Sequence, residues 1–175
     1  MIWRRVLAIV AICLSSLVVI GTPVDAGTSF CTNSSTSCVI AAGDSYLQAL
    51  VSHNVSVLQI SPTAIRTENG IDTGDGGANI AHMLATNPEY LVVKDIRDVR
   101  WYVSGDNAFA LYLIDTAVPD LHTQVATVHV AERFQVVAGL ITQIEAFYCA
   151  HPGLTPQTER TTSAVNVASE QCFGP

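Results

Sequence analysis

Two glutamates stand at chemically loaded positions in HVAERFQVVAGLITQIEAFYC, residues 129–149. Alternation through 126–136 puts Ala126, Val128, Val130, Glu132, Phe134 and Val136 on one strand face, with Thr127, His129, Ala131, Arg133 and Gln135 on the other. The first face is apolar except for Glu132, so it is expected to turn towards the interior. A tight turn at Ala138-Gly139 pairs Val137 with Leu140 and, along a regular ladder, Glu132 with Glu145. Glu145 then shares its face with Ile141, Gln143 and Phe147. Side chains directly opposite have Cβ atoms about 5 Å apart. Burial and a neighbouring like charge both disfavour the ionised form, so one carboxyl is expected to hold its proton near neutral pH. A proton-holding carboxyl beside an ionised one is the equipment of general acid–base chemistry.

An arginine would turn the same pair into a structural ion network. Arg133 points to the other face, which leaves Arg97 and Arg66. VKDIRDVRW places Val93, Asp95, Arg97, Val99 and Trp101 on one face, with Lys94, Asp98 and Arg100 on the other. Arg66 and Glu68 share a face of a shorter strand. Asp95 is the reserve base. His53 caps the end of a helix, His82 lies off the apolar stripe of its helix, and His129 is on the polar strand face. None is spaced as a metal ligand, so no metal and no cofactor are expected. GDGGANI lacks the Gly-Lys-Ser/Thr ending of a phosphate loop, and no G-x-S-x-G turn supports serine chemistry.

The elements that must position these residues follow from periodicity. CVIAAGDSYLQALVSH, residues 38–53, has Val39, Ala42, Tyr46, Leu47 and Leu50 at helical spacing. ISPTAIRTENG is a short extended segment closed by Asn-Gly, and DTGDGG is a turn-rich loop. GANIAHMLATNP is a second helix, stopped by Asn87-Pro88. From residue 91 the period becomes two, giving hairpins around SGDN and around Ala138-Gly139. Helices followed by four long antiparallel strands make an α+β fold.

The chain has 175 residues, with 8 basic against 15 acidic side chains and a net charge of −7. Without a basic cluster it is a poor nucleic-acid binder. MIWRR followed by VLAIVAICLSSLVVI and TPVDA reads as a secretory signal peptide over residues 1–26, cleaved after Ala26. The apolar run is shorter than the roughly 20 residues that span a bilayer, so no membrane association is expected after cleavage. The destination is outside the cytoplasm: secreted, periplasmic or in the cell envelope. The remainder divides into an N-terminal segment (27–37), a domain (38–149) and a polar, irregular tail (150–175). Its four cysteines, Cys31, Cys38, Cys149 and Cys172, are even in number, as exported disulfide proteins require. Three pairings are open, and Cys31–Cys38 with Cys149–Cys172 is favoured because the second staples the tail. NSS at Asn33 and NVS at Asn54 match the glycosylation acceptor pattern.

YLQALVSHNVSVLQISPTAIRTENG, followed by AERFQVVAGLITQIEAFYC, resembles the SnoaL-like branch of the nuclear-transport-factor-2-like superfamily over roughly residues 38–149. More closely, it is similar to an exported branch classed only as a domain of unknown function. The resemblance implies a cone in which N-terminal helices pack on a curved antiparallel sheet and enclose a cavity. Family members include isomerases, cyclases, epoxide hydrolases and plain binding modules. It therefore implies a protein that takes a small apolar molecule among Trp101, Arg97, Phe134, Phe147, Val130 and Tyr46. The alternatives are an isomerase or hydrolase using Glu145, Glu132 and Asp95, and a structural module, a homodimer through the outer sheet face. The polar residues His129, Arg133 and Gln135 argue against a large apolar interface there.

Overall fold

A computed structural model describes residues 33–118 and 123–152, with side chains for 33–117 and 125–150. The leader, Cys31, Cys172 and the tail beyond residue 152 lie outside the described residues. Helix α1 spans Thr36–Ser52, starting ahead of the expected Cys38 because the Ser35 side chain accepts the Cys38 N–H. It stops at His53, which adopts a left-handed conformation and donates its N–H to the Ala49 carbonyl. Strand β1 (Ile60–Glu68) follows, then β2 (Ile71–Asp75), α2 (Gly77–Thr86), α3 (Pro88–Leu91), β3 (Val93–Ser104), β4 (Asn107–Val118), β5 (Thr123–Val137) and β6 (Leu140–Pro152).

Two local expectations need correction. DTGDGG is not simply a loop, because most of it belongs to β2, which pairs antiparallel with β1. Positive φ angles of 49° and 79° at Asn69 and Gly70 make the tight turn between them. Asn87-Pro88 does end α2, yet it also begins α3: the Asn87 side chain accepts the Glu89 N–H, and proline suits the first helical turn.

The strands form one sheet in the order β2-β1-β6-β5-β4-β3. The expected α+β architecture holds, but the sheet is mixed, since β1 runs parallel to β6. Helix α1 packs on β3 to β6, and α2 packs on β1 and β2. In the core, Phe134 packs between the tilted rings of Tyr46 (5.4 Å between centroids) and Trp101 (6.0 Å). Gly43 of α1 is required there, because a Cβ would stand 2.7 Å from the Trp101 ring.

Register decides which residues see the interior. Val137 pairs with Leu140 as expected, but Gln135 then pairs with Gln143, so Thr142 is an extra residue in β6. This β-bulge is held by the Thr142 hydroxyl, which donates to the Gln135 carbonyl (3.2 Å). Beyond it the expected alternation of β6 is inverted: Ile144 and Ala146 are buried inward, and Glu145 and Phe147 turn outward. Strand β3 carries two similar shifts, between Val93 and Asp95 and between Arg97 and Arg100. They leave Val93 and Trp101 facing the core while Asp95 and Arg97 face the other way.

Candidate functional site

The concave face forms a half-open cavity of about 190 Å³. Its walls come from Leu50 of α1 and from Val93, Ile114, Val128, Val130 and Ala146 of the sheet. Polar groups enter at two levels. Tyr46, Tyr112 and Glu132 are buried, whereas Glu89 and Tyr148 are exposed and lie towards solvent, beside Glu68 and Tyr90.

Glu132 is 4% exposed and accepts a 2.6 Å hydrogen bond from the Tyr112 hydroxyl on Oε2. Its Oε1 has no hydrogen-bond partner among the described residues. Burial pushes the Glu132 carboxyl up to about 8, opposed by the Tyr112 hydrogen bond, with the Glu68 charge adding to the rise and Arg66 opposing it. At neutral pH the cavity therefore holds a protonated carboxyl. Burial is also the main cause that drives the Tyr46 and Tyr112 hydroxyls well above their ordinary value, so both remain neutral.

Behind these groups lies Arg66, 1% exposed. It donates to the Tyr46 hydroxyl (3.2 Å), the Thr73 hydroxyl (3.2 Å) and the Thr73 carbonyl (3.0 Å). Its Nε lies 3.7 Å from Glu68, and its guanidinium sits 4.8 Å above the Tyr90 ring. The Tyr90 hydroxyl in turn donates to both Glu68 oxygens, at 3.0 and 3.1 Å. Burial alone would lower the Arg66 pKa, but Tyr46, Glu68 and Tyr90 more than offset it.

Of the three carboxyls expected to do chemistry, only Glu132 enters the cavity. Glu145 is opposite Arg133 on the outer face, where the Arg133 Nε donates to it at 3.1 Å, so the Glu132–Glu145 dyad does not form. The Thr142 bulge is the cause. Asp95 is exposed, turned out by the first shift in β3. Tyr46 and Val130 line the cavity as expected, whereas Phe134 and Trp101 face inward but are spent on packing against each other. Arg97 is on the outer face, bonded to Asp115 at 3.0 and 3.2 Å, and Phe147 is 48% exposed there. Both were expected in the cavity, and the bulges in β3 and β6 remove them.

Tyr112, Tyr90, Tyr148 and Glu89 were not anticipated. Alternation in NAFALYLI could have found Tyr112, which shares its face with Ala108, Ala110 and Ile114. Tyr90 and Glu89 ride on the unanticipated α3. Tyr148 is inward only because of the Thr142 bulge. No group of His, Cys, Asp and Glu among the described residues is arranged to hold a metal. No helix among them is long and apolar enough to cross a membrane. Cys149 lies on the outer face opposite His129.

No protein of curated function matches the chain. Solved structures share its fold at low identity. A Mycobacterium tuberculosis protein described as an LEH-like epoxide hydrolase matches with a TM-score of 0.55 at 17% identity, over 65% of this chain and 84% of that one. A Kribbella flavida protein provisionally assigned as a ketosteroid isomerase matches with a TM-score of 0.53 at 13% identity, over 73% of this chain and 89% of that one. An NTF2-like protein from Burkholderia xenovorans matches with a TM-score of 0.54 at 13% identity, over 67% of this chain and 93% of that one. These likenesses make the architecture a cone-shaped nuclear-transport-factor-2-like fold. Residues 32–148 match the model of a family described as a domain of unknown function (DUF8021), and the chain belongs to that family.

Proposed function

We propose that this domain binds a small molecule with an apolar body in the cavity of its cone, with Glu132 as the polar anchor. One observation carries the reading: an apolar chamber with a single buried carboxyl presenting an unpartnered oxygen. Its volume lies below the roughly 300–1,000 Å³ of pockets that take drug-sized ligands, so the occupant is small. Thermal melts with a panel of compact aromatic and aliphatic compounds test it, since a ligand raises the melting temperature by mass action. Ala146→Phe, which fills the cavity, should abolish the shift. A panel that shifts wild type and Ala146→Phe alike would refute cavity binding.

The raised Glu132 pKa favours a second reading, an isomerase or hydrolase in which Glu132 is the proton donor and Tyr112 positions it. Fold likeness to a hydrolase and to a provisional isomerase supports the class of reaction only by analogy. Glu132→Gln should then abolish turnover of a compact epoxide or enone.

The leader over residues 1–26 supports export, with pairings Cys31–Cys38 and Cys149–Cys172 in the mature chain. N-terminal sequencing of protein recovered outside the cytoplasm should begin at Gly27. Non-reducing peptide mapping checks the pairings, and a Cys38–Cys149 peptide would overturn them. Exposed Tyr102, Phe109, Leu111 and Phe147 on the outer face favour a homodimer there more than the polar alternation of β5 suggested.

A further inference from the structure

We propose that the ligand of this cavity is an organic cation, a compact amine whose ammonium group docks on Glu132 between Tyr46 and Tyr112. The proposal rests on the cavity being a ligand site and specifies its chemistry. The lining has no lysine, arginine or histidine, but it carries Glu68, Glu89 and Glu132 together with Tyr46, Tyr90, Tyr112 and Tyr148. A carboxylate ligand would find no cationic side chain in the lining to pair with. A neutral alcohol or ketone would gain one hydrogen bond at Glu132. An ammonium gains a charge-assisted hydrogen bond to the unpartnered Oε1 and the electron-rich tyrosine faces nearby. One ring of the lining already holds a cation, since Arg66 sits over Tyr90.

Proton balance gives the proposal a signature. The amine enters as its ammonium ion, Glu132 loses its proton to solvent, and the O–H bond that breaks leaves a carboxylate paired with the ligand. The groups around Glu132 are Tyr112 on β4, Tyr46 on α1, Arg66 and Glu68 on β1, Tyr148 on β6, and Tyr90 with Glu89 on α3. The hydroxyls of all four tyrosines are raised and stay neutral, and Arg66 keeps its charge. Glu132 is thus the group whose proton leaves, and amine affinity should rise with pH towards about 8.

Isothermal titration of the full chain with phenethylamine, phenethyl alcohol and phenylacetate separates the cases. The amine is expected to bind at least tenfold tighter than the alcohol, and phenylacetate not measurably. Titrations in buffers of different ionisation enthalpy should show close to one proton released per amine at neutral pH. Glu132→Gln should bring the amine down to the level of the alcohol. Should that variant melt below the assay temperature, proton release by wild type decides alone. Equal affinity for amine and alcohol, or no proton release, overturns the cation and leaves the cavity reading standing. Absence of binding by all three overturns the cation and the cavity reading together.

Discussion

Glu132 and Glu145 are the same residue type on adjacent strands of one hairpin, yet they have opposite environments. Glu132 is buried against Tyr112 inside the cone, with its proton retained to about pH 8. Glu145 is on the outer face in a partly exposed pair with Arg133. One extra residue, Thr142, separates the two outcomes. The contrast teaches that face, more than residue type, sets what a carboxyl can do. The inner face trades solvation for a shifted pKa, and the outer face leaves the Glu145–Arg133 pair partly in water.

The largest test of this contrast exchanges aromatic rings on the two faces. Phe134→Ala should cost about 3–5 kcal/mol in urea melts, because Phe134 is fully buried between Tyr46 and Trp101. Phe147→Ala should stay within about 0.5 kcal/mol. Equal costs would mean that β6 is in the regular register after all.

The next test uses pH. The Glu132 carboxyl is raised from an ordinary 4.5 to about 8, so between those values the folded chain holds more proton than the unfolded one. Stability is therefore fully supported below pH 4.5 and declines as pH rises to about 8, by something on the order of 5 kcal/mol. Glu132→Gln should flatten that slope and Glu145→Gln should leave it unchanged. A slope that follows Glu145 would restore the dyad.

Smaller effects sharpen the picture. Gly43→Ala drives a methyl into Trp101 and should cost about 1–3 kcal/mol. Glu145→Gln at neutral pH should cost less than about 1 kcal/mol, since its partner Arg133 is partly solvated and keeps a bond to Asn107. A loss of 3 kcal/mol or more would place a desolvated ion pair there.

The inward stripe of β5 was legible because Val128, Val130, Glu132, Phe134 and Val136 alternate without interruption, and the structure keeps every one of them inside. The helix spacing of Val39, Ala42, Tyr46, Leu47 and Leu50 was equally plain. The bulges in β3 and β6 were not. Neither Thr142 nor Asp98 is glycine or proline, and a one-residue shift leaves composition untouched while inverting each side chain that follows. The buried cation was half legible: Arg66 was one of two candidates, but its partners Tyr46, Thr73 and Tyr90 come together only through tertiary packing.

The parallel pairing of β1 with β6 has a kinetic consequence. Strands β3 to β6 are joined in sequence as neighbours, so each pairing can zip from the one before. Strand β1 must instead find a partner whose residues lie far along the chain, with Arg66 aligned to Ile144 and Glu68 to Ala146. Such long-range closure is entropically late. The meander is thus expected to form first and the β1–β6 seam last. That seam carries Arg66 and Glu68 into place, so the chamber acquires its ion network only in the closing step of folding.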